Sequence, residues 1–208
     1  MTRKASALRH FKRIDPQFYK ATLPLHAALP ATLSAKRTRV QLFESLVSIV
    51  ISQQLGVAAA DTIFVRVKKA CEGRLTSLSI RKMKSEKLRA IGLSDAKTKT
   101  LKAIATLIED GSLDLLALKK ISEAEAAAML MSIRGLGPWS VEMFMMFALG
   151  RADMFSAGDL GIIRAMEALY NLPKGTSRET LNAIAQKWSP HRTYACLLLW
   201  RTRDTKAG

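Results

Sequence analysis

The sequence predicts an all-α protein built as two helical lobes with a cleft between them. Hydrophobic residues make up 49% of the 208-residue chain, whereas aromatic residues make up only 6%. The apolar residues recur at helical spacing, and the alternating runs of valine and isoleucine that indicate strands do not occur. A chain of this length can bury a substantial core. We therefore expect a single compact helical unit.

The charge of the chain predicts a polyanionic partner. Lysine and arginine number 33 against 17 aspartates and glutamates, which gives a formal charge of +16 and a pI near 10.3. Nucleic acid is the first candidate and an anionic membrane surface the second, with a solvated basic surface that has no partner as the alternative. No apolar run reaches the ~20 residues of a membrane span, and no signal-peptide pattern follows the basic N-terminus. We expect an intracellular protein.

The cysteines and histidines argue against a metal centre. Cys71 and Cys196 are isolated, and the chain has no C-x-x-C motif from which a zinc or iron-sulfur site could be built. Both are expected to be reduced core thiols. His10, His26 and His191 are too scattered to suggest a metal. We expect no cofactor and no metal ion held by side chains.

The first lobe is expected to span approximately residues 38–110. Apolar spacing predicts three helices, which run over Thr38–Leu55, Val57–Glu72 and Ala96–Glu109. Val57 and Val67 should face inward on the second of them. Between the second and third helices, Gly92 reads as a helix stop and Ser94 as the following cap.

The second lobe is expected to be formed by residues 111–208, which interdigitate with the first lobe. Capping boxes are predicted at Ser122 with Glu125 and at Thr176 with Glu179, and Ser189-Pro190 should open the last helix. Residues 1–37 form a basic N-terminal segment expected to pack on this second lobe, with Asp15-Pro16 as cap and first turn of a helix.

A glycine hairpin is the most informative stretch of the chain. A helix breaks at Gly135-Leu136-Gly137 and restarts at Pro138. Glycine permits a positive φ and close approach of a partner, and proline tolerates the first helical position because it has no N–H. The helix that follows should have a bare N-terminus, whose N–H groups and positive dipole suit a phosphate oxygen. The hairpin therefore predicts binding to a nucleic-acid backbone.

A single carboxylate follows the hairpin. The stretch Val141 to Leu149 reads as a buried helix, Gly150 ends it, and a loop of small residues leads to Asp159 at the N-cap of a helix predicted over Leu160–Tyr170. Backbone N–H groups and the helix dipole favour a negative charge there. Taken alone, Asp159 could be a cap and nothing more.

The order of hairpin, buried helix, small-residue loop and aspartate resembles the helix-hairpin-helix superfamily of DNA base-excision glycosylases. The spacing from Gly137 to Asp159 fits that family, although Ala157-Gly158 stands where a proline is often found. The resemblance implies that Asp159 is the catalytic residue. It also implies a DNA-binding cleft and contacts from the hairpin to the DNA backbone. Those contacts come from Gly135, Leu136, Gly137, Trp139 and Ser140, with a possible monovalent cation at the hairpin carbonyls.

Further DNA contacts follow from the same resemblance. The segment ISQQLGVAAA looks like the one in which these glycosylases carry the residue that fills the gap left by an extruded base. This places Gln54, with Gln53 beside it, as the wedge; solvated glutamines at a helix end are the alternative. Ser94 and Lys97 match a second backbone contact, against the alternative of a solvated face.

The resemblance also assigns a base pocket. In relatives that cut the strand, a lysine nucleophile occupies the position of Trp139, and an indole cannot form a Schiff base. The match of WSPHRTYACLLLW to the C-terminal helix of alkylpurine glycosylases places Trp200 on a pocket tryptophan, opposite Trp139. Met143 replaces a pocket tyrosine. Core packing competes for both tryptophans and is the preferred interpretation for Trp188.

The implied function is that of a monofunctional alkylpurine DNA glycosylase, similar to the 3-methyladenine DNA glycosylase II type. Such an enzyme flips a damaged base out of duplex DNA and hydrolyses its glycosidic bond through an oxocarbenium-like state, without lyase activity. Two alternatives stay open, a non-catalytic protein that binds lesion DNA and a glycosylase for uracil or deaminated bases. The expected partner is damaged double-stranded DNA. We expect a monomer in a prokaryotic nucleoid or a eukaryotic nucleus, with no membrane association.

Overall fold

The protein is helical throughout the part of the chain that the structure describes. A computed structural model describes residues 2–33 and 37–204, and no strand occurs in these ranges, which confirms the predicted all-α class. The α-helices are α1 Arg3–Ile14, α2 Pro16–Thr22, α3 Arg39–Ser52, α4 Val57–Ala70, α5 Ser77–Lys82, α6 Ser85–Ala90, α7 Asp95–Glu109, α8 Glu123–Met131, α9 Pro138–Phe147, α10 Leu160–Tyr170, α11 Arg178–Gln186 and α12 Arg192–Asp204. Short 3₁₀ helices occur at Leu23–Ala28 and Ala117–Lys119.

The chain divides into two compact units. The middle unit is Lys36–Leu149, and the terminal unit combines Met1–Ala35 with Gly150–Gly208. The sequence placed the division near residue 110 instead. The difference arises because hairpin helices α8 and α9 pack on each other and α9 packs on α3, so that residues 111–149 belong with the helices before them.

The middle unit is organised around α3. This helix contacts α4, α7 and α9 and buries apolar residues on most of its sides, namely Leu42, Phe43, Leu46, Val47, Val50 and Ile51. Helix α9 is buried along most of its length, as its mostly apolar sequence predicted, and it begins at Pro138, where the sequence predicted that the helix restarts. A buried α9 gives the hairpin before it a rigid support.

The terminal unit packs α10 against α12 and joins α2 to α12. Its core holds Trp188, Tyr194, Phe11 and Phe18, all fully buried, which confirms the core interpretation of Trp188. Asp15 caps α2 with Pro16 at the first helical position, as predicted. The N-terminal helices thus belong to the same core as the last ones.

Two local predictions were wrong. The second capping box was placed at Thr176 and Glu179, but α11 is capped by Ser177, which accepts from Thr180 N. Val57 was expected to face inward, but it is 79% exposed because it occupies the first position of α4. The capping box of Ser122 with Glu125 is confirmed.

Two other features bear on the classes of function considered above. Within the described ranges, no helix is long and apolar enough to cross a membrane. Cys71 and Cys196 are buried thiols, as expected of core cysteines.

Candidate functional site

The two hairpin glycines are required for different reasons. Gly135 has φ +94°, and a Cβ added to it would lie 1.9 Å from Thr100 Oγ1, so only glycine fits. Gly137 has φ −89°, which any residue adopts, so the positive φ that glycine permits is not used there. A Cβ on Gly137 would meet none of the described atoms within 4 Å. Gly135 is therefore needed by the fold, whereas Gly137 keeps the outer surface of the hairpin open.

Helix α9 begins without a side-chain cap. Gly137 is its N-cap and Pro138 its first residue. Among the described residues, none accepts a hydrogen bond from the N–H of Gly137 or of Ser140. The Ser140 side chain is buried and accepts from the Gln53 amide at 2.8 Å. Unpaired N–H groups at the positive end of a helix dipole suit an anion, and the binding of a DNA phosphate here stays a prediction.

Gln53 connects the end of α3 to the hairpin, and Lys97 connects the same end of α3 to α7. The Gln53 side-chain amide donates to Gly135 O at 2.9 Å and to Ser140 Oγ. Lys97 Nζ donates to the carbonyl oxygens of Ile51 and Gln53, both at 2.8 Å, and burial lowers the pKa of its ammonium group. These contacts occupy side chains that the sequence assigned to the wedge and to phosphate. Gln53 links the end of α3 to the hairpin, and Lys97 satisfies carbonyls at the C-terminus of α3; the roles of both towards DNA stay predictions.

The loop after α3 presents Gln54 to solvent. Its side chain is exposed, and its backbone is left-handed with φ +57°. A non-glycine residue in this region costs ~1–2 kcal/mol, and such strain is often found at functional positions. Leu55 and Val57 beside it are exposed as well. Helical periodicity did not indicate this apolar surface, because it placed Val57 on the inward face of its helix.

Ser94 and the predicted pocket residues of α9 occupy ordinary helical positions. Ser94 is exposed and caps α7 by accepting from Lys97 N. Trp139 is half-buried in the first turn of α9. Met143 is only 6% exposed, which places it on the buried face of that helix. The roles of all three towards DNA stay predictions.

Asp159 caps α10 and is held by an indole. Its Oδ1 accepts from Ile162 N at 3.0 Å, the cap predicted from the sequence, and from Trp200 Nε1 at 2.8 Å. Trp200 comes from α12, which packs along α10. The carboxylate is half-exposed. A charge-assisted bond from the indole fixes the rotamer of Asp159 without neutralising its charge.

No sequence motif indicated two further residues near this carboxylate, Gly161 and Arg178. A Cβ on Gly161 would lie 3.0 Å from both Asp159 Oδ1 and Trp200 Cδ1, so glycine lets the indole reach the carboxylate. The guanidinium of Arg178 lies against Gly158 in the preceding loop, where a Cβ would be 3.2 Å from its Nη2. Arg178 brings a positive charge, in an exposed residue, close to the loop that leads to Asp159. Both close approaches depend on how the helices pack, so no sequence motif indicates them.

A glycine hairpin that opens onto a bare helix N-terminus can bind a phosphate, and an anchored carboxylate at the next helix can act on an electron-poor carbon. In chain order, these parts define a helix-hairpin-helix protein of the DNA glycosylase class. The chain belongs to the HhH-GPD superfamily of base excision DNA repair proteins, which it matches over residues 47–191. The resemblance drawn from the sequence is thereby confirmed.

Individual relatives agree with this family. DNA-3-methyladenine glycosylase 1 of Schizosaccharomyces pombe is 36% identical over 163 residues, which cover 77% of this chain and 72% of the relative. The putative DNA-3-methyladenine glycosylase YfjP of Bacillus subtilis is 26% identical over 204 residues, or 93% of this chain and 69% of the relative. The structure of the S. pombe 3-methyladenine DNA glycosylase Mag1 in complex with abasic DNA is similar with a TM-score of 0.83. It shares 31% identity and covers 96% of this chain and 97% of that one.

Proposed function

We propose that this protein is a monofunctional DNA glycosylase that removes alkylated purines of the 3-methyladenine and 7-methylguanine type. The observation that carries the proposal is the Asp159 carboxylate, anchored by Trp200 Nε1 and Ile162 N at the start of α10. The family membership and the names of the relatives support it.

Asp159 would act on the sugar of an extruded nucleotide. Loss of the base leaves an oxocarbenium-like sugar, and a fixed negative charge stabilises it or orients and deprotonates the attacking water. A methylated purine is already cationic and leaves as a neutral base. This substrate class therefore needs no strong general acid. That agrees with a site that is built around one carboxylate.

The remaining contacts would position the DNA. The N–H groups of Gly137 and Ser140 would bind a backbone phosphate, which holds the sugar for reaction. Gln54 would fill the space left by the extruded base, aided by the exposed Leu55. Ser94 would hold a second phosphate, and Arg178 would add a charge near Asp159. Trp139 and Trp200 would line the base pocket, where stacking contributes ~1–3 kcal/mol per base.

Two features of the hairpin limit the chemistry. Trp139 stands where a Schiff-base lysine would be needed, so the product would be an intact abasic strand. The carbonyl oxygens of Ile133 and Gly135 accept from Leu136 N and from the Gln53 amide, and a carbonyl oxygen has two lone pairs. These oxygens fit a monovalent cation shared with a phosphate. We further propose that the protein acts as a monomer on damaged duplex DNA in the nucleoid or nucleus.

A panel of duplexes tests the activity. The protein is incubated with methylated, uracil-containing, hypoxanthine-containing and undamaged DNA, with Asp159→Asn as the matched control, and released bases are separated by chromatography. We expect release of methylated purines by the wild-type protein only. Release of uracil or hypoxanthine alone would support the deaminated-base alternative. Tight, salt-sensitive lesion binding without turnover would support the non-catalytic alternative.

The same reactions test the absence of lyase activity. After incubation with methylated duplex, strands are run with and without alkali, and a second sample is treated with borohydride. We expect breaks only after alkali and no covalent complex. Breaks without alkali, or a trapped protein-DNA adduct, would contradict the monofunctional assignment.

A further inference from the structure

A second basic site lies in the terminal unit, and none of its lining residues is among those assigned to base excision. Ser6, Arg9, His10 and Arg13 of α1, together with His191 before α12, line a cavity of about 280 Å³. We call it the histidine pocket. Two of the three histidines in the chain line it, although they are 181 positions apart in sequence, so the fold alone brings them together.

The two imidazoles are held in place. His10 Nε2 lies 2.9 Å from Lys187 O, which can only accept, so this nitrogen carries the hydrogen. Ser6 Oγ lies 3.3 Å from His191 Nε2. The two rings meet edge to face with centroids 5.5 Å apart. Fixed rings can bind a ligand without losing much side-chain entropy.

The charge of the histidine pocket is uncompensated. Arg9 and Arg13 are one helical turn apart on α1, and neither has a hydrogen bond or an acidic partner among the described residues. Like charges at this spacing destabilise a helix. No carboxylate lines the cavity. Asp153, the acidic group that faces His191, already accepts from Arg192 and Ser189.

We propose that the histidine pocket is a phosphate-binding site, with the guanidinium groups of Arg9 and Arg13 and the imidazole of His191 as its donors, and the ring of His10 beside them in the lining. Guanidinium forks match the oxygens of a phosphate group in a bidentate manner. A divalent metal could use the two imidazoles, but two guanidinium groups and the absence of a lining carboxylate disfavour a cation. The cavity admits a phosphate group more readily than a whole nucleotide.

Protonation should tune this site. His191 has a lowered pKa, first because of burial and then because of the charges of His10 and Arg3, which outweigh the opposite effect of Asp153. The protonated imidazole donates from both nitrogens and attracts an anion, whereas the neutral ring does so less. Phosphate binding should therefore strengthen as the pH falls through the titration of His191, and bound phosphate should raise that pKa.

Two ligands distinguish the source of the phosphate. Inorganic phosphate is titrated into the full-length protein while the imidazole C–H signals of His10 and His191 are followed by NMR. Binding of an undamaged duplex is measured by fluorescence anisotropy over a series of salt concentrations. The test variant is Arg9→Ala with Arg13→Ala. The control is Lys12→Ala with Lys20→Ala, which removes the same charge from exposed positions that do not line the pocket.

The outcomes separate the possibilities. If the ligand is a DNA phosphodiester, the test variant lowers the slope of log K against log salt by about 0.9 more than the control does. If the ligand is a free phosphate group, inorganic phosphate shifts both histidine signals in the wild-type and control proteins but not in the test variant, and DNA binding is unchanged. Equal DNA binding by the two variants, with no phosphate-dependent histidine shift, overturns the proposal. Neither result depends on glycosylase activity.

Discussion

Asp15 and Asp159 have nearly the same local chemistry. Each is the N-cap of a helix, and each accepts from the backbone N–H three residues ahead, at 3.1 Å from Phe18 and at 3.0 Å from Ile162. Each also accepts from an indole. Because the two aspartates share their local contacts, the difference between a structural carboxylate and a candidate catalytic one must come from their surroundings.

The surroundings of Asp15 enclose it. It is 4% exposed and accepts from Trp188 Nε1 at 2.9 Å and from the Tyr170 hydroxyl, with the Lys187 ammonium 2.9 Å away. Burial by itself would raise the pKa of Asp15, but these hydrogen bonds hold it below the usual value. Asp159 instead is half-exposed, after a loop of small residues. A carboxylate that keeps contact with solvent can meet a substrate, whereas one that is surrounded by donors stabilises the fold.

The largest expected effect is the loss of base release in Asp159→Asn. Asparagine is as good an N-cap as aspartate, so the helix should persist while the negative charge is lost. We expect activity to fall by about 10²–10⁴-fold, with little change in Tm. Base release under single-turnover conditions and thermal unfolding measure the two effects. Undiminished release would show that Asp159 is only a cap.

The matched substitution Asp15→Asn should have the opposite profile. It removes the charge partner of Lys187 and weakens a buried hydrogen-bond network, which we expect to cost about 3 kcal/mol of unfolding free energy. Single-turnover base release by the folded fraction should be unchanged. Denaturant unfolding measures the stability. A loss of base release per folded molecule would contradict a purely structural role for Asp15.

Lowering the pH should test the stabilising role of the Asp15 charge. Because the folded pKa of Asp15 lies below its ordinary value of 3.8, its charge stabilises the protein above that pH, and this contribution is lost as the pH falls through the folded pKa. The difference in Tm between wild type and Asp15→Asn should be constant near neutrality and shrink at low pH. A difference that grows in acid would contradict the assigned network.

A smaller effect is expected from the indoles. Trp200→Phe keeps a ring but removes the N–H that anchors Asp159, and we expect base release to fall about tenfold, the size of one charge-assisted hydrogen bond. Trp188→Phe removes the corresponding bond to Asp15 and should lower stability by about 1–2 kcal/mol without changing release. If both substitutions affected only stability, Trp200 would have no role beyond packing.

The smallest expected effect is that of Gly161→Ala. The added methyl group would press on Trp200 and Asp159 Oδ1, so the indole must move by a few tenths of an ångström. We expect base release to fall severalfold, while Tm falls by a few degrees at most. Combined with Trp200→Phe, the change should cost less than the sum of the two, because the bond it weakens is already gone. Simple additivity would argue against a shared mechanism.

Much of the helical framework could be predicted because it rests on local signals. The cap of α10 at Asp159, the cap of α2 at Asp15 and the hairpin glycines all follow from the preferences of single residues at helix ends. The inward orientation predicted for Val57 in the first turn of α4 was wrong, because Val57 fits a helical period but lies at an exposed end of the helix. Periodicity indicates a face and does not show whether another helix covers it.

The sequence indicated individual candidate residues of the site, but not the hydrogen bonds that connect them. The resemblance placed Gln54 as the wedge with Gln53 beside it, and only the tertiary structure shows that the Gln53 amide donates to the hairpin carbonyl of Gly135. For Lys97 the sequence left a phosphate contact and a solvated face open, and it did not indicate that the packing of α7 near the end of α3 brings the ammonium group to two carbonyls.

The sequence by itself determined the helical class, the bare start of α9 and an aspartate at the start of α10, since each depends on residues within one helical turn. The tertiary structure decided which capping aspartate is enclosed and which keeps access to solvent. The indole of Trp188 reaches Asp15 across 173 positions, and that of Trp200 reaches Asp159 across 41. Such bonds depend on how helices pack, and no local preference specifies them.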